Sequence, residues 1–186
     1  MKERDKNKWR RKFSSYRRTF LVFILVFLFS LTSFFILARR GILPTLENPL
    51  PVRTTAFLIS AFFLSVFVFG PTIYAPFNSF STLLVFGALS GLTAGGEGNV
   101  GAVIALFFDF LTGYLLTVYS SFVTLTSMKI FTLTREPLFE GVLFSGKSFR
   151  SVFNFRFIFS YILFFVLFSA AAFLVGAVKG ELLTLV

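Results

Sequence analysis

The amino-acid sequence predicts an all-α protein, a polytopic transmembrane helix bundle of about five spans with its N-terminus inside the cell. Two observations support this fold class. Of the 186 residues, 56% are hydrophobic and only 14% are charged, whereas a soluble domain carries about 25% charged residues. The apolar residues are also gathered in runs that approach or reach the length needed to cross a bilayer. Lipid is therefore the expected solvent for most of the chain.

Five apolar runs are the candidate spans. The first covers residues 20–38, about 28 Å of helix at ~1.5 Å per residue, which is enough to cross the hydrocarbon core. It is too long for the apolar region of a cleaved signal peptide, so we expect a retained helix. The other runs cover residues 54–69, 80–94, 100–125 and 157–178.

Two breaks separate the middle runs. Gly70, Pro71 and Pro76 interrupt the chain after the second run, and proline cannot continue a helix without losing a backbone hydrogen bond. We therefore predict a turn within residues 70–78, with a re-entrant hairpin over residues 54–96 as the alternative. A second, glycine-rich turn is predicted at residues 95–101, before the fourth run.

Basic residues indicate the orientation and the domain organisation. We expect a basic cytoplasmic tail over residues 1–18 and a single transmembrane domain over residues 19–186, with an interfacial cytoplasmic segment at about 126–156. With the N-terminus inside, 14 of the 18 Lys and Arg lie on the cytoplasmic side, as the positive-inside rule requires. The localisation expected from this is the cell (plasma) membrane.

The net charge of +10 indicates anionic lipid head groups as partners rather than nucleic acid, because the basic residues lie beside apolar spans. The residues expected at the membrane surface are Arg10, Arg11, Lys12, Arg17, Arg18, Lys147, Arg150 and Arg156.

Three glycines form the clearest pattern within the spans. Gly87, Gly91 and Gly95 recur every four residues and so share one helix face. Small residues on such a face let two membrane helices approach closely. We expect this stripe to pack against another helix of the same chain; the alternative is contact with a second copy or with another membrane protein.

Asp109 is the only acidic residue inside an apolar run. Thr112, Gly113 and Ser120 share its helix face, which predicts a position towards the interior of the bundle. With Lys179 assigned to the tail after the fifth run, no Lys or Arg is expected in another span to pair with it. Burial should then favour the neutral carboxyl in a structural role. The alternative is a proton or cation site.

The residue types that are missing weigh against catalysis. The chain contains no Cys and no His, which removes thiolate nucleophiles and the commonest general base and metal ligand. Asp5 and Asp109 are the only aspartates, and Asp5 lies in the tail, so a paired-aspartate site is not expected. We predict a protein without enzymatic activity, cofactor or metal.

The middle of the chain resembles the stage II sporulation protein M family of bacterial membrane proteins. The similarity covers residues 67–118 and consists of the Gly70–Pro71 to Pro76 break, the three-glycine stripe, the glycine-rich turn and the apolar helix after Gly101. It implies a bacterial origin and a non-enzymatic membrane scaffold or assembly component in sporulation or cell-wall remodelling. The alternative hypothesis is a small-solute transporter, or the substrate-binding membrane subunit of one, which Asp109 would suit although no internal repeat is visible.

Overall fold

The computed structural model describes residues 3–45, 74–139 and 155–185, with side chains for residues 14–45, 74–128 and 158–185. These ranges form four helices joined or followed by short turns: α1 (Glu3–Arg39), α2 (Ala75–Gly96), α3 (Asn99–Phe139) and α4 (Phe155–Thr184). Each contains a stretch long and apolar enough to cross a membrane, namely Ser14–Arg39, Ala75–Gly96, Asn99–Met128 and Ile158–Thr184. Within the described residues the predicted all-helical class is confirmed, with four helices that could each cross a membrane. The predicted span at residues 54–69 lies outside the described residues.

The helix bounds differ from the predicted runs at several ends. The basic segment at the N-terminus continues directly into the first span, so that α1 is one helix of 37 residues. α2 begins at Ala75, inside the predicted turn, because Pro76 occupies its first turn, where a missing N–H breaks no helical hydrogen bond. The turn between α2 and α3 comprises only Glu97 and Gly98, and Gly101 lies within α3.

The predicted membrane-surface residues are only partly described. Arg17 and Arg18 are exposed on α1. Arg10, Arg11, Lys12 and Arg156 lie in helices, but their side chains are outside the described set, as are Lys147 and Arg150 altogether. α3 continues to Phe139, into the predicted interfacial segment, whose next residues, 140–154, also lie outside the described ranges.

Contacts along the glycine stripe show that α1 and α2 run parallel. Gly87 lies against Phe27, Gly91 against Leu31, and Gly95 against Ala38, so the contact advances in the same direction along both helices. α3 runs back after the two-residue turn, and Gly101 near its start lies beside Leu183 near the end of α4. Arg39, Glu97 and Leu183 therefore mark one end of the bundle, which we call the Glu97 end; Ser14 and Tyr74 mark the opposite end, the Ser14 end.

The glycine stripe brings the backbones of α1 and α2 into direct contact. A Cβ added at Gly87 would lie 2.8 Å from the carbonyl oxygen of Phe27, and one added at Gly91 would lie 2.5 Å from that of Leu31. Both distances are too short for any side chain. The Ser30 hydroxyl adds a hydrogen bond of 2.6 Å to the carbonyl oxygen of Leu84. The stripe thus packs against α1 of the same chain.

Phe27 joins the three helices α1, α2 and α3. Its side chain is fully buried and stacks on Phe86 of α2 at 5.9 Å between ring centroids. Its ring also fills the gap beside Gly113 of α3, where an added Cβ would overlap it. Glycine at position 113 is therefore required by packing, because α3 could not otherwise approach α1 at this depth.

α4 packs mainly against α3. Towards the Ser14 end the contact is aromatic, with Phe122 and Phe164 at 4.8 Å between ring centroids and Tyr119 and Phe168 at 5.7 Å. Only 11% of the apolar window of α4 is buried, against 44% for α2 and for α3. α4 is thus the peripheral helix of the described bundle, and α3 is its support.

We expect Gly91→Ala to destabilise the protein, because the new methyl group would collide with the backbone of α1. Overpacking of this kind costs about 1–3 kcal/mol. Gly98→Ala is the matched control, since an added Cβ there meets nothing within 4 Å. Reversible unfolding in bicelles measures both variants. Equal stability of the two would show that α1 and α2 are further apart than the structure has them.

Candidate functional site

A buried ion pair joins α3 to α4. The Nζ atom of Lys179 lies 2.7 Å from Oδ1 of Asp109, and the two side chains are 12% and 7% exposed. Asp109 is ten residues beyond Asn99 on α3, or about 15 Å from the Glu97 end at ~1.5 Å per residue. This is the separation of a charge-assisted hydrogen bond between an ammonium and a carboxylate.

The expectation that Asp109 has no cationic partner is wrong. Lys179 was assigned to a tail because the apolar run stops at residue 178, yet α4 continues to Thr184 and places Lys179 within the helix. The expectation of a neutral carboxyl was argued partly from that missing partner and stays a prediction. With an ammonium at hydrogen-bond distance, the carboxylate has its counter-ion within the bundle.

Helix direction explains why these two side chains meet. Side chains on a helix lean towards its N-terminus, and α3 and α4 run in opposite directions. Asp109 therefore leans towards the Glu97 end while Lys179 leans away from it. Since Leu183 is level with Gly101, the Cα of Lys179 lies about one turn nearer to the Glu97 end than that of Asp109. The opposed tilts bring the two charged groups to the same depth.

α2 supplies a third group to the site. The buried hydroxyl of Ser90 faces the Asp109 carboxylate. The second carboxylate oxygen, Oδ2, is buried and has no hydrogen-bond partner among the described residues. Buried ion pairs are generally stabilised by further hydrogen bonds to all their polar atoms. The site is therefore electrically neutral but leaves one strong acceptor unused.

The polar residues predicted to share the face of Asp109 do lie inside the bundle. Thr112 and Ser120 are both buried. The Thr112 hydroxyl donates to the carbonyl oxygen of Phe108 on its own helix, and the Ser120 hydroxyl has no partner among the described residues. The groups brought to the carboxylate are thus Lys179 and Ser90, which sequence reasoning did not select.

A second polar contact holds the Glu97 end together. The guanidinium of Arg39 donates to the carbonyl oxygen of Glu97 at 2.9 Å and also to Oδ1 of Asn99. The end of α1 is thereby attached to the turn between α2 and α3, above the ion pair. The Arg39-Arg40 doublet was the available sequence signal, but its partners are backbone and amide groups that no charge pattern reveals.

No protein-family model, curated protein or solved structure matches this chain. Within the described ranges, no group of three or more His, Cys, Asp or Glu side chains is placed to hold a metal ion. Function must therefore be argued from the geometry of the bundle and its ion pair.

A double-mutant cycle should show that Asp109 and Lys179 stabilise the fold as a pair. We expect Asp109→Leu and Lys179→Met each to destabilise the protein, because either single change leaves an unpaired buried charge, and the double variant to cost less than the sum of the two. The coupling free energy should exceed the ~0.6 kcal/mol average for polar contacts in a membrane protein. Glu181→Leu, an exposed carboxylate on the same helix, is the control. Additive effects would contradict the pair.

Proposed function

We propose that this protein is a non-enzymatic integral membrane scaffold or assembly component of the bacterial plasma membrane, acting in sporulation or cell-wall remodelling. One observation supports this most directly: the described interior is closed by packing, and its buried carboxylate is neutralised by a lysine of the same chain. The resemblance of residues 67–118 to the stage II sporulation protein M family gives the biological setting.

Tight packing leaves little space for a solute between the helices on the α1 side. Added Cβ atoms at Gly87, Gly91 and Gly95 would all lie within 3 Å of atoms of α1. The ring of Phe27 occupies the space between α1 and α3 at Gly113. Three successive turns of α2 therefore have no room for even a methyl group, which favours a rigid support over a transport pathway.

The outward surface is large and apolar, and it is most extensive on α4. In a membrane such a face meets either lipid or the helices of other membrane proteins. The exposed large side chains of α4 between its two ends include Phe159, Ile162, Leu163, Val166, Leu167, Phe173 and Leu174. We propose that this face receives the partner proteins.

We further propose five crossings with the N-terminus inside. Because α1 and α2 are parallel, Thr45 follows α1 at the Glu97 end while Tyr74 precedes α2 at the Ser14 end. These opposite positions support the proposed additional span at residues 54–69. The placement of Lys179 within α4 removes it from the outer loops, which strengthens the excess of basic residues on the Ser14 side.

Single introduced cysteines test this topology, since the chain has no native Cys. Ile42→Cys and Glu97→Cys should react with an impermeant maleimide from outside the cell. Ser14→Cys and Tyr74→Cys should react only after the inner face is made accessible. Labelling of Ile42→Cys and Tyr74→Cys from the same side would contradict five crossings, and a Tyr74→Cys inaccessible from both sides would favour the re-entrant hairpin.

Photo-crosslinking in cells tests the scaffold role. A photoreactive amino acid at the exposed position Leu167 should form a discrete adduct with another membrane protein, identified by mass spectrometry as a wall-remodelling component. The same residue at the fully buried Ala172 is the control and should react only within the chain. The scaffold role would be contradicted if neither Leu167 nor other outward positions of α4 gave a protein adduct. If a small solute also stabilised the protein against heat, the transporter would be favoured.

The transporter remains the second candidate because of one specific observation: Oδ2 of the buried Asp109 has no hydrogen-bond partner among the described residues. For a transporter, Asp109→Asn should fold and lose transport. For a scaffold, the same change weakens the contact between α3 and α4, so any loss of function should be accompanied by a loss of stability.

A further inference from the structure

The ion pair holds Lys179 away from the position that an unpaired lysine would take. Lys179 lies five residues before Thr184, about 8 Å from the end of α4. A free ammonium at this depth would extend along its flexible stem to the nearby membrane surface. Instead it reaches inward by about one turn to Asp109. Lys179 thus has two available positions, and the charge on Asp109 decides between them.

Proton exchange is the one reversible reaction that this site can undergo with its own groups. α1 has no ionisable side chain between Arg18 and Arg39, and α2 has none at all. From α2 the Ser90 hydroxyl faces the carboxylate, and from α4 the Lys179 ammonium does so. Tyr119 and Tyr161 lie further towards the Ser14 end, and Glu97 and Glu181 lie near the Glu97 end. Asp109 and Lys179 are therefore the two described ionisable groups at this depth, and Asp109 is the one that can gain a proton.

We propose that Oδ2 of Asp109 is a proton-binding site and that its occupation releases the Glu97 end of α4 from α3. A hydronium ion from the membrane surface transfers a proton to Oδ2: one O–H bond of the hydronium breaks, a new O–H bond forms at Oδ2, and a water molecule leaves. The site changes from neutral to a net charge of +1, which stays on the Lys179 ammonium. The new carboxyl O–H has the Ser90 hydroxyl nearby as an acceptor, and Lys179, without a counter-ion, moves to the membrane surface.

The distribution of contacts explains why only one end of α4 should move. Near the Ser14 end, α4 is held by the aromatic contacts of Phe122 with Phe164 and of Tyr119 with Phe168. None of these depends on charge. Near the Glu97 end, α4 is held to α3 by the ion pair and by the apolar contact of Leu183 with Gly101. On protonation, therefore, the Glu97 end of α4 moves away from α3 while the aromatic contacts keep the Ser14 end in place.

Distances between nitroxide labels test this proposal in purified protein in nanodiscs, where both membrane faces meet the buffer and no partner protein is present. The reporting pair is Gly98→Cys with Leu185→Cys, both exposed at the Glu97 end, where the movement should take place. The control pair is Met128→Cys with Phe159→Cys, both exposed at the aromatic half. Because the experiment uses purified protein, its outcome does not depend on the proposed scaffold role or on the orientation of the protein in the cell.

On lowering the buffer from about pH 8 to about pH 4, a range that covers carboxyl titration, the distance between the labels at 98 and 185 should lengthen reversibly. The control distance should stay constant. Asp109→Asn should give the long distance at both pH values. A distance at 98 and 185 that does not change with pH, an Asp109→Asn protein that retains the pH response, or an equal lengthening of the control pair would each overturn the proposal.

Discussion

Direct contact between the backbones of α1 and α2 is the constraint on which the other features of the bundle depend. Glycine at three successive turns removes the side chains that would separate the two helices, and the Ser30 hydrogen bond fixes their register. That register places Phe27 at the depth of Gly113, so α3 can approach α1 closely. α3 in turn carries Asp109 and the aromatic residues that hold α4. The peripheral helix and its ion pair thus rest on a contact between two other helices.

Much of this arrangement follows from patterns that the sequence displays. The apolar runs predict the membrane helices because side chains that face lipid have to be apolar along the whole length of a span. The spacing of Gly87, Gly91 and Gly95 predicts a close helix contact because small side chains at one face have few other uses in lipid. The interior position of Asp109 follows from the high cost of a carboxylate facing hydrocarbon.

The partners in the site escaped prediction for physical reasons. A hydropathy pattern ends a span at the first charge, but lysine is a good helix former, so the backbone of α4 continues past Lys179 to Thr184. The ammonium then finds its counter-ion inside the bundle. The role of Ser90 was equally invisible, because membrane serines commonly bond to their own helix. The parallel direction of α1 and α2 depends on a contact between helices that are distant in sequence, which periodicity within either helix does not reveal.

The parallel pairing of α1 and α2 has a consequence for the order in which the membrane domain is built during synthesis. Residues 46–73 lie between α1 and α2 in the sequence, so α1 is synthesised well before the neighbour it packs against. Of the four described spans, α1 has the most apolar window and α2 the least. The helix that must be stable alone in lipid carries the stronger insertion signal, while the glycine-rich helix that gains its contacts on arrival has the weaker one.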